Sequence, residues 1–168
     1  MNLAEVMQKV AESGELDVDP NFADRWTIDD VATFESEAGL KIGREGREFL
    51  TDFGCVAIEE NCHFLAKIPG EPQQVHEVQV LGGSPDQLIA NERIFRGRGS
   101  HALKYRMFFF GSADGGYRYI LLGEENDDAV YIWSGLSGPN EPDELHQPVK
   151  ISENLADFLN NLQPYENL

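Results

Sequence analysis

Long apolar runs are missing from this 168-residue chain. Its hydrophobic stretches are a few residues each, far below the roughly 20 that a membrane-spanning helix needs. Cysteine is nearly missing too, with Cys55 and Cys62 alone. A zinc site would need a second pair of ligands at short spacing, and the sequence has none; two reduced thiols are expected. Basic residues are scarce: 13 Lys and Arg stand against 30 Asp and Glu, a formal net charge of −17. Such a chain is poorly suited to nucleic-acid phosphates, which demand clustered Lys and Arg. The opening MNLAEVMQKVAESGELD lacks the basic-then-apolar order of a secretory signal, so the expected compartment is the cytoplasm. Catalytic patterns are lacking as well. His63, His76, His101 and His146 do not recur at metal-ligand spacing. Cys62–His63 and Ser100–His101 are only sequence neighbours, and adjacent strand residues point to opposite faces, which is no nucleophile–base geometry. Neither an enzyme activity nor a cofactor or metal is expected.

What is present is enough for one core in one domain spanning residues 1–168: 41% of residues are hydrophobic and 10% aromatic. The centre of that core is the stretch from Arg106 to Trp133. It holds the runs Met107–Phe110, Tyr119–Leu122 and Val130–Trp133, rich in the aromatic and β-branched types that fill a pleated surface. Ser112–Gly116 and Gly123–Asp128 separate them with turn chemistry. Three consecutive antiparallel strands follow.

Helical spacing marks the N-terminal third. Leu3, Val6, Met7 and Val10 make one face of a helix over 2–12. Phe22 and Trp26 are expected to anchor the loop that follows. Thr27 and Asp30 fit a capping pair, and Ile28, Val31, Phe34 and Ala38 fall on one face before Gly39 stops the helix. A third helix runs from Arg44 to Phe53 with Phe49, Leu50 and Phe53 inward. Residues 55–58 and 62–68 read as strands. From Gln74 to Leu81 the pattern alternates, with His76, Val78 and Val80 on one side. Ser84–Pro85 opens a short helix to about Ile94. Val149–Ile151 reads as a short edge strand. Ser152 is the expected N-cap of a last helix carrying Leu155, Phe158, Leu159 and Leu162.

Charge is uneven along the chain. Residues 1–60 carry 15 acidic and 5 basic side chains, residues 61–123 carry 5 and 7, and residues 124–168 carry 10 and 1. The one basic island is RIFRGRGSHALKYR, residues 93–106. It lacks the glycine pattern of a dinucleotide loop. Two readings stay open for it: a phosphate or nucleotide site built on Arg93, Arg96 and Arg98, or a solvated loop paired with the acidic surroundings. The turn holding Glu124, Glu125, Asp127 and Asp128 lacks the alternating spacing of a calcium loop. With Asp29 and Asp30 it is the candidate surface for a basic protein partner, chosen on charge and location.

Several segments together resemble the SUKH superfamily. Phe34–Glu35, Gly39–Leu40–Lys41–Ile42 and Arg47–Glu48–Phe49–Leu50 take the places of its opening helices. Phe110–Gly111, Asp114–Gly115–Gly116, Tyr119 and Val130–Tyr131–Ile132–Trp133 match its glycine-bearing strand pair and "Val-Tyr-x-Trp" strand. Ser152, Leu155, Phe158 and Leu159 match its closing helix. Ile42–Gly43 stands where that family usually has Leu-Pro. The resemblance implies an α+β fold, a curved and mainly antiparallel sheet with N-terminal helices and a C-terminal helix packed around it. It also implies a non-catalytic interaction protein, of the kind that binds and neutralises a cognate bacterial toxin. Acidity points to a basic toxin, such as a nuclease. The alternative is a small-molecule or phosphate-binding regulator using residues 93–106.

Overall fold

The computed structural model describes residues 1–13, 24–58, 62–96, 106–135 and 147–168, with the backbone alone at 96. Arg98, Phe22, His101, His146, the turn 59–61 and most of the loop 134–148 lie outside the described residues, as does most of the basic island.

Three helices come first: α1 (Leu3–Ser13), α2 (Ile28–Ala38) and α3 (Arg44–Asp52). Their starts are built by side chains that take up otherwise orphaned N–H groups. Asn2 and Glu5 cap α1 reciprocally. At α2, the Thr27 hydroxyl accepts from the Asp30 N–H and the Asp30 carboxylate accepts from the Thr27 N–H, the expected capping box. Gly39 closes α2 in the left-handed region at φ 68°. The expected inward face of α2 holds at Val31, Phe34 and Ala38, but Ile28 is 84% exposed. At 100° per residue it lies on the rim of that stripe.

Seven strands form one antiparallel, open sheet among the described residues. They are β1 (Cys55–Ala57), β2 (His63–Ala66), β3 (Gln74–Gly82), β4 (Met107–Ala113), β5 (Arg118–Gly123), β6 (Val130–Trp133) and β7 (Val149–Ser152). The order is β1-β3-β4-β5-β6-β7, and β2 also pairs with β3, opposite its N-terminal half. The central meander is β4–β5–β6, the three runs between Arg106 and Trp133. Helix α4 (Pro85–Arg96) follows β3, and α5 (Leu155–Asn160) follows β7. The fold is therefore α+β with a non-closed sheet.

The main core lies between one face of the sheet and α1, α2, α3 and α5. Phe34 is its pivot, edge-on to Trp26 at 5.4 Å and to Phe108 at 5.8 Å. Phe49 meets Phe110 at 4.9 Å. The Trp26 indole N–H donates to the Gly83 carbonyl at 2.8 Å, which satisfies its one polar atom inside the core. The opposite face carries a smaller cluster of Met107, Phe109, Leu121 and Trp133, with Phe95, Tyr119 and Tyr131 against it. Both faces of β4 are covered, so its run reads as continuously apolar.

Three further local expectations change. The pairing of β3 with β4 shifts register between Val78 and Val80. An extra residue there reverses the alternation, so Leu81 joins His76 and Val78 in burial while Val80 is only half-buried. Helix α4 runs on to Arg96, because Phe95 stacks on Phe109 with ring centroids 4.1 Å apart and anchors the last turn. Arg93 and Arg96 therefore belong to a helix and not to a loop. Finally, Asn154 and not Ser152 caps α5: its side chain accepts from the Asp157 N–H at 2.8 Å. Ser152 is still paired with Val130, which keeps its backbone in β7.

Candidate functional site

The acidic turn after β5 is folded onto the connector between α2 and α3. Glu124 forms a bridge with Ile42, and the Glu125 N–H donates to the Lys41 carbonyl at 3.0 Å. Glu124 is ion-paired with Arg106, whose hydrogen bond holds the carboxylate below its usual range. Asp127 accepts from the Ala129 N–H and from the Tyr131 hydroxyl at 2.7 Å. Burial, that bond and the nearby charges push the Tyr131 phenol up to about 12. Asp128 faces the first turn of α3, with the Glu45 N–H 3.4 Å from its carboxylate, where a negative charge meets the positive end of the helix. Of the four acids only Glu125 is fully exposed.

Asp29 and Asp30 sit elsewhere. They occupy the first turn of α2, and the acidic turn meets the chain beyond its other end. Eleven residues of helix separate the two places by about 16 Å. Asp30 is committed to its capping box, and the Thr27 backbone and hydroxyl hold its carboxyl low. The sequence-based surface thus divides into two acidic ends of one helix.

Between those ends lies Glu35, which is 8% exposed. It accepts from the Lys41 ammonium at 2.7 Å, the Ile42 N–H at 3.1 Å and the Arg47 guanidinium at 3.0 Å. Burial raises its pKa, but the bond and charge of Lys41, the Ile42 N–H and the Arg47 charge together outweigh it, and the net shift is down. Glu35 fixes the α2–α3 connector that the acidic turn rests on. Glu45 acts similarly one element further, accepting the Ala156 N–H at the start of α5 at 2.9 Å. Carboxylates at helix starts absorb part of the chain's acidity.

Helix α3 also carries a carboxylate that its surroundings disfavour as an anion. Burial and the like charges of Asp52 and Glu45 hold the Glu48 carboxyl above its ordinary value, with Arg44 opposing. A group raised in this way adds stability at acid pH and loses it as pH climbs through its folded pKa. At neutral pH Glu48→Gln is expected to stabilise the protein by about 0.5 kcal/mol, raising the melting temperature by about 1–2 °C. Thermal unfolding followed by circular dichroism checks this; an unchanged or lower melting temperature would contradict the repulsion.

The basic candidates separate as well. Arg93 is ion-paired with Glu37 of α2, while the Arg96 side chain and Arg98 are not among the described groups. A pocket of about 340 Å³ opens on another side of α4, against β3, β4 and β5. Val80 and Phe109 give it apolar walls, and Gln87, Asn91, Ser112 and Tyr119 give it polar edges.

No protein-family model, curated protein or solved structure matches the chain. The site must be judged on its own chemistry. Among the described residues no group of three or more His, Cys, Asp or Glu could hold a metal, and no helix is long and apolar enough to cross a membrane. Cys55 is half-buried and Cys62 buried, and neither is in a disulfide.

One pair escaped sequence reasoning. His76, 1% exposed, has its Nδ1 2.6 Å from the Asp114 carboxylate, whose other oxygen accepts the Glu77 N–H at 2.9 Å. The His76 ring stacks on Phe64, and its Nε2 has no partner among the described residues. The two residues are 38 apart in sequence, and Asp114 reads there only as a turn residue. Its positive φ of 54° marks it as unusual only in the folded backbone. With one nitrogen closed by Asp114 and the other buried, the pair ties the β4–β5 turn to β3.

Proposed function

We propose that this protein is a non-catalytic, SUKH-like binding module that neutralises a basic toxin by direct association, in the manner of an immunity protein. The observation that carries the reading is the distribution of charge. The helices that cover one face of the sheet, α1, α2, α3 and α5, carry ten Asp and Glu against three Lys and Arg. A basic partner would be steered to that layer at long range. Glu125 and Asp29 are the exposed acids flanking α2, whereas Glu124, Asp127 and Asp128 have folding roles.

The test is affinity capture by the tagged protein from its native lysate at low salt, with elution by a salt step. The expected result is one stoichiometric basic protein that is toxic when expressed alone and harmless when co-expressed with this chain. Reversing Glu125 and Asp29 to lysine is expected to slow association roughly tenfold at low salt and to flatten its salt dependence. Absence of a stoichiometric basic partner, or a partner without toxicity, would reject the immunity reading.

A further inference from the structure

The pocket beside α4 is built by the irregularities of the sheet. Register shifts interrupt the β3–β4 pairing between Val78 and Val80 and the β4–β5 pairing between Phe109 and Gly111. Bulges of this kind re-aim side chains and cluster next to sites of function. Here they bring Val80, Ser112 and Tyr119 into one cross-strand row, because Val80 pairs with Ser112 and Ser112 with Tyr119. Phe109 stands beside that row, sandwiched against Phe95 and edge-on to Tyr119 at 5.7 Å. The result is an aromatic wall held rigid from behind by Trp133, which is 1% exposed.

The facing wall is α4. Gln87 and Asn91, one helical turn apart, line the pocket from that side. The Gln87 carbonyl is used in capping, where it accepts the Ser84 N–H at 3.1 Å. The Asn91 amide, the Ser112 hydroxyl and the Tyr119 hydroxyl form no hydrogen bond with another described residue. Apolar and aromatic walls with a few convergent, unengaged polar groups are the make-up of a small-molecule site, and the volume lies within the usual range. No charged side chain lines the pocket among the described residues. The nearby Arg93 is turned to Glu37 on the α2 side.

We propose that this pocket binds an uncharged, planar heteroaromatic molecule of nucleoside size. Its ring would lie against the half-buried Tyr119, with the buried Phe109 backing that wall, and its hydrogen-bonding edge would meet Asn91 and Ser112. A side-chain amide can donate and accept at once, which matches the paired donor and acceptor on a nucleobase edge. The proposal goes beyond toxin binding and does not depend on it. It also differs from a phosphate site in the basic island, which would select for negative charge.

The test uses the full chain with adenosine, guanosine, cytidine and uridine at millimolar concentration, read by saturation-transfer NMR. The expected result is transfer to at least one nucleoside, with the strongest signals on base protons. Asn91→Ala, at an exposed position, should weaken that nucleoside roughly three- to tenfold. Ala90→Trp should fill the pocket and abolish transfer, with near-ultraviolet circular dichroism confirming that the variant is folded. The matching 5′-monophosphate should bind no tighter than the nucleoside. The proposal is overturned if none of the four shows transfer, or if transfer survives both Asn91→Ala and a folded Ala90→Trp. Clearly tighter binding of the monophosphate would overturn it too and redirect attention to residues 93–106.

Discussion

Gly82→Ala is expected to remove most of the stability of this protein. Gly82 ends β3 at φ 74°, a backbone region that a side chain rarely tolerates. Space is the larger problem. A Cβ at Gly82 would lie 2.0 Å from the Gly54 carbonyl oxygen, and Gly54 is the joint between α3 and β1. That carbonyl also accepts the Gly83 N–H at 3.2 Å, so it cannot swing away without losing a bond. Backbone meets backbone, and no rotamer relieves the clash. The cost should be about 4 kcal/mol or more, against a total of roughly 5–15 kcal/mol for a typical domain. Gly39→Ala is the matched control. Gly39 has a similar φ of 68°, but nothing lies within 4 Å of its would-be Cβ. It should cost only about 1 kcal/mol, the conformational part alone. Urea unfolding of both variants measures the difference. Equal midpoints for the two would show that the close approach of Gly54 and Gly82 is not a constraint.

The second large effect is at Glu35. Glu35→Ala leaves the buried Ile42 N–H without its acceptor and releases Lys41 and Arg47 together. The two cations are half-exposed or more and can turn to water, so the main loss is the stranded amide and the untied connector. About 2–3 kcal/mol is expected. Glu35→Gln keeps an acceptor and loses the charge, and should cost less. The pH dependence separates the terms. The folded pKa of Glu35 is depressed below its ordinary 4.5. Its ionic contribution is therefore complete above that ordinary value and is lost as pH falls through the folded pKa. The stability gap between wild type and Glu35→Gln should be constant from neutrality down to the ordinary value and should close below it. A gap that does not change into strong acid would mean that shape, and not charge, sets the role of Glu35.

The Glu35 effect reaches the acidic turn. Glu35 holds the connector, the connector carries the acidic turn, and Asp128 of that turn faces the start of α3. A variant that loosens Glu35 should therefore disturb the whole acidic layer, which makes Glu125 and Asp29 the cleaner positions for testing a partner.

Much of the fold was legible from residue order because its causes are local. The spacing of Leu3, Val6, Met7 and Val10 is a helix period, and all four are buried. Thr27 and Asp30 are three apart, the reach of a capping box, and they form one. Three apolar runs split by glycine-bearing turns make a meander, and they pair as β4–β5–β6. What only the tertiary structure decided depends on partners distant in sequence. The bulge in β3 moved Leu81 inward because β4 dictates its register. Helix α4 outran its own pattern because Phe95 found Phe109. Acids that read as a free surface turned out to be divided between folding and solvent, since Asp127 meets Tyr131 and Asp128 meets α3 across 83 positions. The pocket beside α4 had no local signature, because its walls come from four elements and its shape from two register shifts. Periodicity and capping are short-range and survive in one dimension; ion pairing, register and enclosure are long-range and exist only once the chain has closed on itself.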